Sequence, residues 1–99
     1  MARIEFGQGA NEDFDRILAH LAAYGAKDVE ERIAQIAEAC GLLATHPLIG
    51  RARPDKKREL VIGSGVRGYV ALYRFVKESD LVLILAIRSQ REEGFARGL

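Results

Sequence analysis

Apolar residues recur at a helical period through the first half of the chain and at a strand period through its last third. Phe14, Ile17, Leu18, Leu21 and Ala22 follow three-and-four spacing and predict a helix. Asn11 supplies its N-cap, or the helix opens earlier at Gln8–Gly9, and Gly25 stops it. Val29, Ile33, Ile36, Cys40 and Leu43 form a second apolar stripe, opened by Asp28 and closed by Pro47. Asp28 with Glu31 resembles a capping box. So short a connection makes the two helices an antiparallel hairpin. Arg3–Phe6, ahead of Gly7, reads as a short strand.

Residues 47–58 (PLIGRARPDKKR) read as a basic loop, and the period then changes. Glu59–Ile62 is a short strand ended by Gly63-Ser64-Gly65, and 68–76 and 81–88 are longer strands joined by a tight turn at Lys77–Asp80. The last strand is apolar up to Ile87, as expected of a central strand buried on both faces, or on one face plus a partner. A regular two-residue turn at Glu78-Ser79 would set Arg88 opposite Tyr69 and Ile84 opposite Tyr73. Tyr69, Tyr73 and Arg88 would then share an outward face, and the aliphatic face would pack on the helices. A one-residue bulge would reverse part of that assignment.

Ninety-nine residues, 48% hydrophobic and 29% charged, fit one soluble α+β domain spanning 1–99. The net charge of +1 hides a split: residues 1–50 hold four Lys/Arg against eight Asp/Glu, and residues 51–99 hold eleven against six. A basic half of this kind suits nucleic acid or an acidic protein. Cys40 is the single cysteine, so no internal disulfide forms, and its place in an apolar stripe makes it a buried small residue. No stretch approaches the ~18 apolar residues of a membrane span, and the N-terminus lacks a signal-length apolar run. A cytoplasmic location without a membrane partner is expected.

The candidates for chemistry are the basic residues. HExxH, Walker-type GxxxxGK[ST], GxSxG and paired Cys/His motifs are absent, and no metal or cofactor is expected. His20 and His46 read as surface or capping groups. Gly63-Ser64-Gly65 lacks the following helix that a phosphate loop requires. Arg51, Arg53, Lys56, Lys57 and Arg58 cluster in the loop, and Arg67, Arg74, Arg88 and Arg91 lie in or beside strands. Arginines next to tyrosines suit phosphates and stacked bases, or the carboxylates of an acidic partner. Arg74, between Tyr73 and Phe75, is expected to have a carboxylate or carbonyl partner.

The order HPLIGR, REL, GYVALYRF, LAIRSQREEG, behind a strand and a helical hairpin, closely resembles the RelE/ParE superfamily of type II toxin–antitoxin toxins, on its ParE branch. The likeness runs from about Arg3 to Gly94. It implies a β-α-α-β-β-β fold with the helical hairpin packed on a mostly antiparallel sheet. It also implies a plasmid-stabilisation type of toxin held in a hetero-oligomer by a cognate antitoxin. ParE-type members act on DNA gyrase; RelE-type members are ribosome-dependent mRNA endoribonucleases. On the first reading the partner-binding residues are Arg51, Arg53, Arg58, Tyr69, Tyr73, Arg88, Gln90 and Arg91. On the second, the catalytic set is Arg67, Tyr73, Arg74 and Arg88. A third is a non-toxic adaptor that keeps only the fold. Ser89 and Val70 stand where many relatives carry His and Arg, which removes groups for proton transfer and phosphate contact.

Overall fold

A computed structural model describes residues 1–63, 68–92 and 94–95. Strand β1 (Arg3–Phe6) leads into helix α1 (Gln8–Ala23), and α2 (Val29–Gly41) follows. Then come β2 (Arg51–Ala52), β3 (Arg58–Ile62), β4 (Tyr69–Val76) and β5 (Leu81–Ser89). The five strands form one sheet in the order β1-β5-β4-β3-β2, antiparallel except for β1 against β5. The expected loop thus contributes a two-residue edge strand, because Arg51 and Ala52 pair with Glu59 and Arg58.

The helix boundaries have local causes. Helix α1 opens at Gln8, with Gly7 rather than Asn11 as N-cap. At its end Gly25 takes φ +68°, its amide donates to Ala22 O and that of Ala26 to Leu21 O. Those crossed bonds are a Schellman stop, which glycine adopts without a Cβ penalty. Asp28 precedes α2 as expected, but its carboxylate turns to Arg32 at 3.2 Å instead of capping amides. A 3-10 turn, Leu42–Ala44, then carries the chain out of the helix ahead of Pro47.

Both helices lie on one face of the sheet. Ile17, Leu21, Ile36, Cys40 and Leu43 pack there with Tyr69, Ala71, Tyr73, Val82, Ile84 and Ile87. The tyrosine face is therefore the core, and the face assignment expected from a regular hairpin is corrected. Near the turn the register is as expected, with Tyr73 opposite Ile84 and Val76 opposite Leu81. The turn is longer, a 3-10 turn at Lys77–Ser79 with Asp80 left-handed at φ +48°. Between Leu72 and Tyr73 the register shifts by one, with Leu85 as the extra residue. Beyond that bulge every side chain of β5 changes face. Arg88 faces Val70, and Ser89 faces Tyr69.

Strand β5 is central, as its composition predicts, but β1 ends beside Ile84 and leaves its far end uncovered. Helix α1 closes that edge. Asp13, only 2% exposed, accepts the Ile87 amide at 2.8 Å, and Arg16 donates to Ile87 O at 3.4 Å. Two helix side chains thus take the hydrogen-bonding places of a missing strand, as a buried backbone requires.

Candidate functional site

Among the described residues no helix covers the sheet's other face. Val70, Leu72, Val76 and Arg74 of β4 stand on it beside Leu81, Leu83, Leu85, Ala86 and Arg88 of β5. Glu59 and Val61 of β3 and Arg51 of β2 extend it. Val70, Leu72 and Ala86 are buried under Phe95, which the chain brings back across the sheet after β5. Val61 is 53% exposed and the three leucines are half-buried. This is an open apolar face rimmed by arginines, and such faces mark interaction sites.

Each arginine on the rim is held differently. Arg51 is exposed and pairs with Glu59 at 2.9 Å. Arg88 is half-buried: its Nη1 donates to the carbonyls of Ser89 and Glu92, at 3.1 and 3.0 Å. Its guanidinium lies 5.1 Å from the Phe95 ring centroid, a cation–π contact. Arg16 of α1 reaches Glu92 at 2.6 Å and ties the same segment to the helix. Arg74 is exposed and its side chain makes no hydrogen bond or ion pair among the described residues, so the partner expected for it is not found. Its strand position points it out of the core. It lines an open groove of about 480 Å³ with Lys57, Leu83, Leu85 and the start of α1 at Gln8, Gly9 and Glu12.

Other expected site residues fall elsewhere. Arg67 lies outside the described residues. Tyr69 is 8% exposed and Tyr73 is fully buried on the helix side, so neither shares a surface with Arg88. The Tyr73 hydroxyl donates to Pro47 O at 2.8 Å and accepts the Gly50 amide at 2.9 Å, which fastens the HPLIGR segment to the sheet. Gly50 is required there, since a Cβ would sit 2.6 Å from the Tyr73 ring and 2.9 Å from Glu59 O. Arg58 also lies on the helix side, its Nη1 on the carbonyls of Leu48 and Gly50 at 3.2 and 2.9 Å. Arg53 bridges Asp55 at 3.2 Å and Glu59 at 3.6 Å. Gln90 packs against Gly68, its Nε2 without a hydrogen-bond partner among the described residues, and Arg91 is exposed. The Ser89 hydroxyl accepts the Arg91 amide at 3.2 Å, a turn role.

The three described members of the catalytic set are thus not gathered. Tyr73 is on the opposite face from Arg74 and Arg88, and those two are four β4 residues apart, roughly 14 Å along the sheet. Among the described residues no group of three His, Cys, Asp or Glu could hold a metal, and no helix is long and apolar enough to cross a membrane. The sequence reading missed Asp13, Arg16, Glu92 and Phe95. Asp13 does carry a signal, since it occupies an apolar-stripe position between Ala10 and Ile17.

Residues 4–94 match the family described as the ParE toxin of the type II toxin–antitoxin system parDE. The chain belongs to the ParE toxin family. This ParE-family toxin is also 30% identical over 92 residues to Toxin RelE3 of Caulobacter vibrioides, covering 93% of this chain and 98% of that protein. Its fold is similar to that of the chromosomal ParDE system of P. aeruginosa, with a TM-score of 0.72 at 22% identity over 90% of this chain and 96% of the other. The RelBE2 toxin–antitoxin complex of Mycobacterium tuberculosis gives 0.63 at 21% identity, over 90% and 98% of the two chains. The α+β fold expected from the sequence is the fold these proteins share.

Proposed function

We propose that this toxin acts by binding, with DNA gyrase as its target, and that a cognate antitoxin neutralises it by covering the open sheet face. The observation that carries this reading is the face itself. Among the described residues Val76, Leu81, Leu83 and Leu85 are only half-buried, between arginines that stand too far apart to converge on one phosphate. Among the described residues no histidine or tyrosine stands on that face; its carboxylates Glu5 and Glu59 are held by Arg3 and Arg51, and Glu12, at the groove beside Arg74, accepts from Gln8. General acid–base cleavage needs a proton-transfer group within hydrogen-bond reach of its substrate. A binding face needs apolar area with a charged rim. The family match to parDE toxins supports the gyrase target, and the solved complexes among its structural relatives support an antitoxin partner.

The test is inducible expression in bacteria with and without the adjacent open reading frame. Growth arrest relieved by that neighbour, with supercoiling by purified gyrase inhibited and cellular mRNA intact, is the expected result. Arrest with cleaved mRNA and unaffected gyrase would replace this reading with the endoribonuclease one.

A further inference from the structure

A second surface lies on the helix side of the sheet, beyond the reach of the helices. Leu48, Ala52, Arg53, Lys56, Lys57, Arg58 and Phe75 line a notch of about 290 Å³, at the lower bound of ligand pockets, roughly 300 Å³. Its apolar part is unusual for a solvated turn: Leu48 is 59% exposed, neighbouring Ile49 is 54% exposed, and Phe75 comes from the edge of the core. Its charge is unbalanced. Four cations line it, and the carboxylates in contact with them are those of Asp55 and Glu59. Desolvation opposes the Asp55 charge, but the Lys57 amide with the Arg53 and Lys57 charges holds its carboxyl below 3.8. Lys56 makes no hydrogen bond or ion pair among the described residues, and it holds a left-handed φ of +66°.

Inorganic phosphate would use the cations and leave the aliphatic rim unused. An amphipathic protein segment uses both. Lys57 lines this notch and also the groove of the open face. One extended partner can therefore pass from the open face, around the β2–β3 turn, into the notch.

We propose that the notch seats an acidic, apolar-anchored segment of the cognate antitoxin. One large apolar side chain rests on Leu48 and Phe75, and flanking carboxylates reach Lys56 and Lys57. The proposal depends on the toxin–antitoxin reading above and adds a second contact on the opposite side of the sheet.

The test measures binding of the full chain to the full-length product of the adjacent open reading frame by titration calorimetry. It uses Lys56→Gly and Leu48→Ser. Lys56→Gly removes the charge at a backbone position that glycine favours, and Leu48→Ser changes an exposed side chain, so both should fold. Each should weaken binding by about fivefold or more with an undiminished melting temperature. The loss for Lys56→Gly should shrink between about 0.1 M and about 1 M salt, as screening shortens from about 10 Å to about 3 Å. Wild-type affinity in both variants would overturn the notch and leave the toxin–antitoxin reading standing. Failure of the unmodified chain to bind that product would overturn both. If the variants lose only the binding of a single-stranded RNA oligonucleotide, the notch is a nucleic-acid site and the proposal is wrong.

Discussion

The carboxylate of Asp13 accepts the amide of Ile87 across 2.8 Å, so a helix side chain completes the strand edge that β1 leaves open. Asp13 also pairs with Arg16 at 3.7 Å, and Arg16 continues to Glu92. Asp13→Ala would strand a buried amide and unbalance that network. It should cost about 2–4 kcal/mol in urea unfolding and speed amide exchange at Ile87. Asp13→Asn keeps an acceptor oxygen and should cost clearly less. Equal losses for the two variants would show that the acceptor is not what matters.

Tyr73 and Gly50 make a second coupled pair. Tyr73→Phe leaves the Gly50 amide and the Pro47 carbonyl without their partner, a cost of about 1–3 kcal/mol. Burial raises the Tyr73 phenol above 10.0, against the opposing pull of the Gly50 amide and Arg58. A raised folded-state value means that its stabilisation is whole below 10.0 and is lost as pH rises beyond it. Unfolding free energy measured from pH 9 upward should therefore fall less steeply in Tyr73→Phe than in the parent. Parallel curves would sever the link.

The helical hairpin was legible because its signals are local: three-and-four spacing, Gly25 past one helix and Asp28 before the next. The central place of β5 was legible from its unbroken apolar run. Which face met the helices was not, since Tyr73, Phe75, Val82 and Ile84 take the core face in the expected register, and beyond them Leu85, one bulged residue inside a uniform aliphatic strand, turns the far end of β5 over. Nothing in LVLILAIR distinguishes the bulged leucine from its neighbours. Its effect is large, because a single added residue carries Arg88 from the tyrosine face to the Val70 face. The loop arginines were legible as a cluster by proximity in sequence. Their division between the two faces follows from pairing, with Arg51 set against Glu59 and Arg58 against Tyr73.

Cys40 is fully buried in the helix–sheet core, and burial pushes its thiol from 9.0 up to about 12. A thiol-specific reagent near pH 8 should label the native chain only through opening, and rapidly in urea. The same shift stabilises the fold below pH 9 and is lost as pH rises towards 12. Cys40→Ala should flatten that alkaline decline, beyond what Tyr73→Phe removes. Fast labelling of the native chain would contradict the burial.

Arg88 and Arg51 stand on the same sheet face and should respond differently to substitution. Arg88 donates to Ser89 O and Glu92 O and covers Phe95, so it holds down the segment that buries Val70, Leu72 and Ala86. Arg88→Ala should cost about 1–3 kcal/mol by releasing that cover. Arg88→Lys should recover only part, because an ammonium lacks the planar fork that stacks on the ring while donating. Among the described residues Arg51, itself exposed, has only its ion pair with Glu59, so Arg51→Ala should shift stability by less than about 0.5 kcal/mol. Its loss should instead appear in antitoxin binding. Melting curves and titrations on the three variants separate the roles: the expected outcome is that Arg88→Ala lowers the melting temperature first and Arg51→Ala the affinity for the partner. A wild-type melting temperature for Arg88→Ala would show that Phe95 stays seated without it, and would move Arg88 to the binding rim alone.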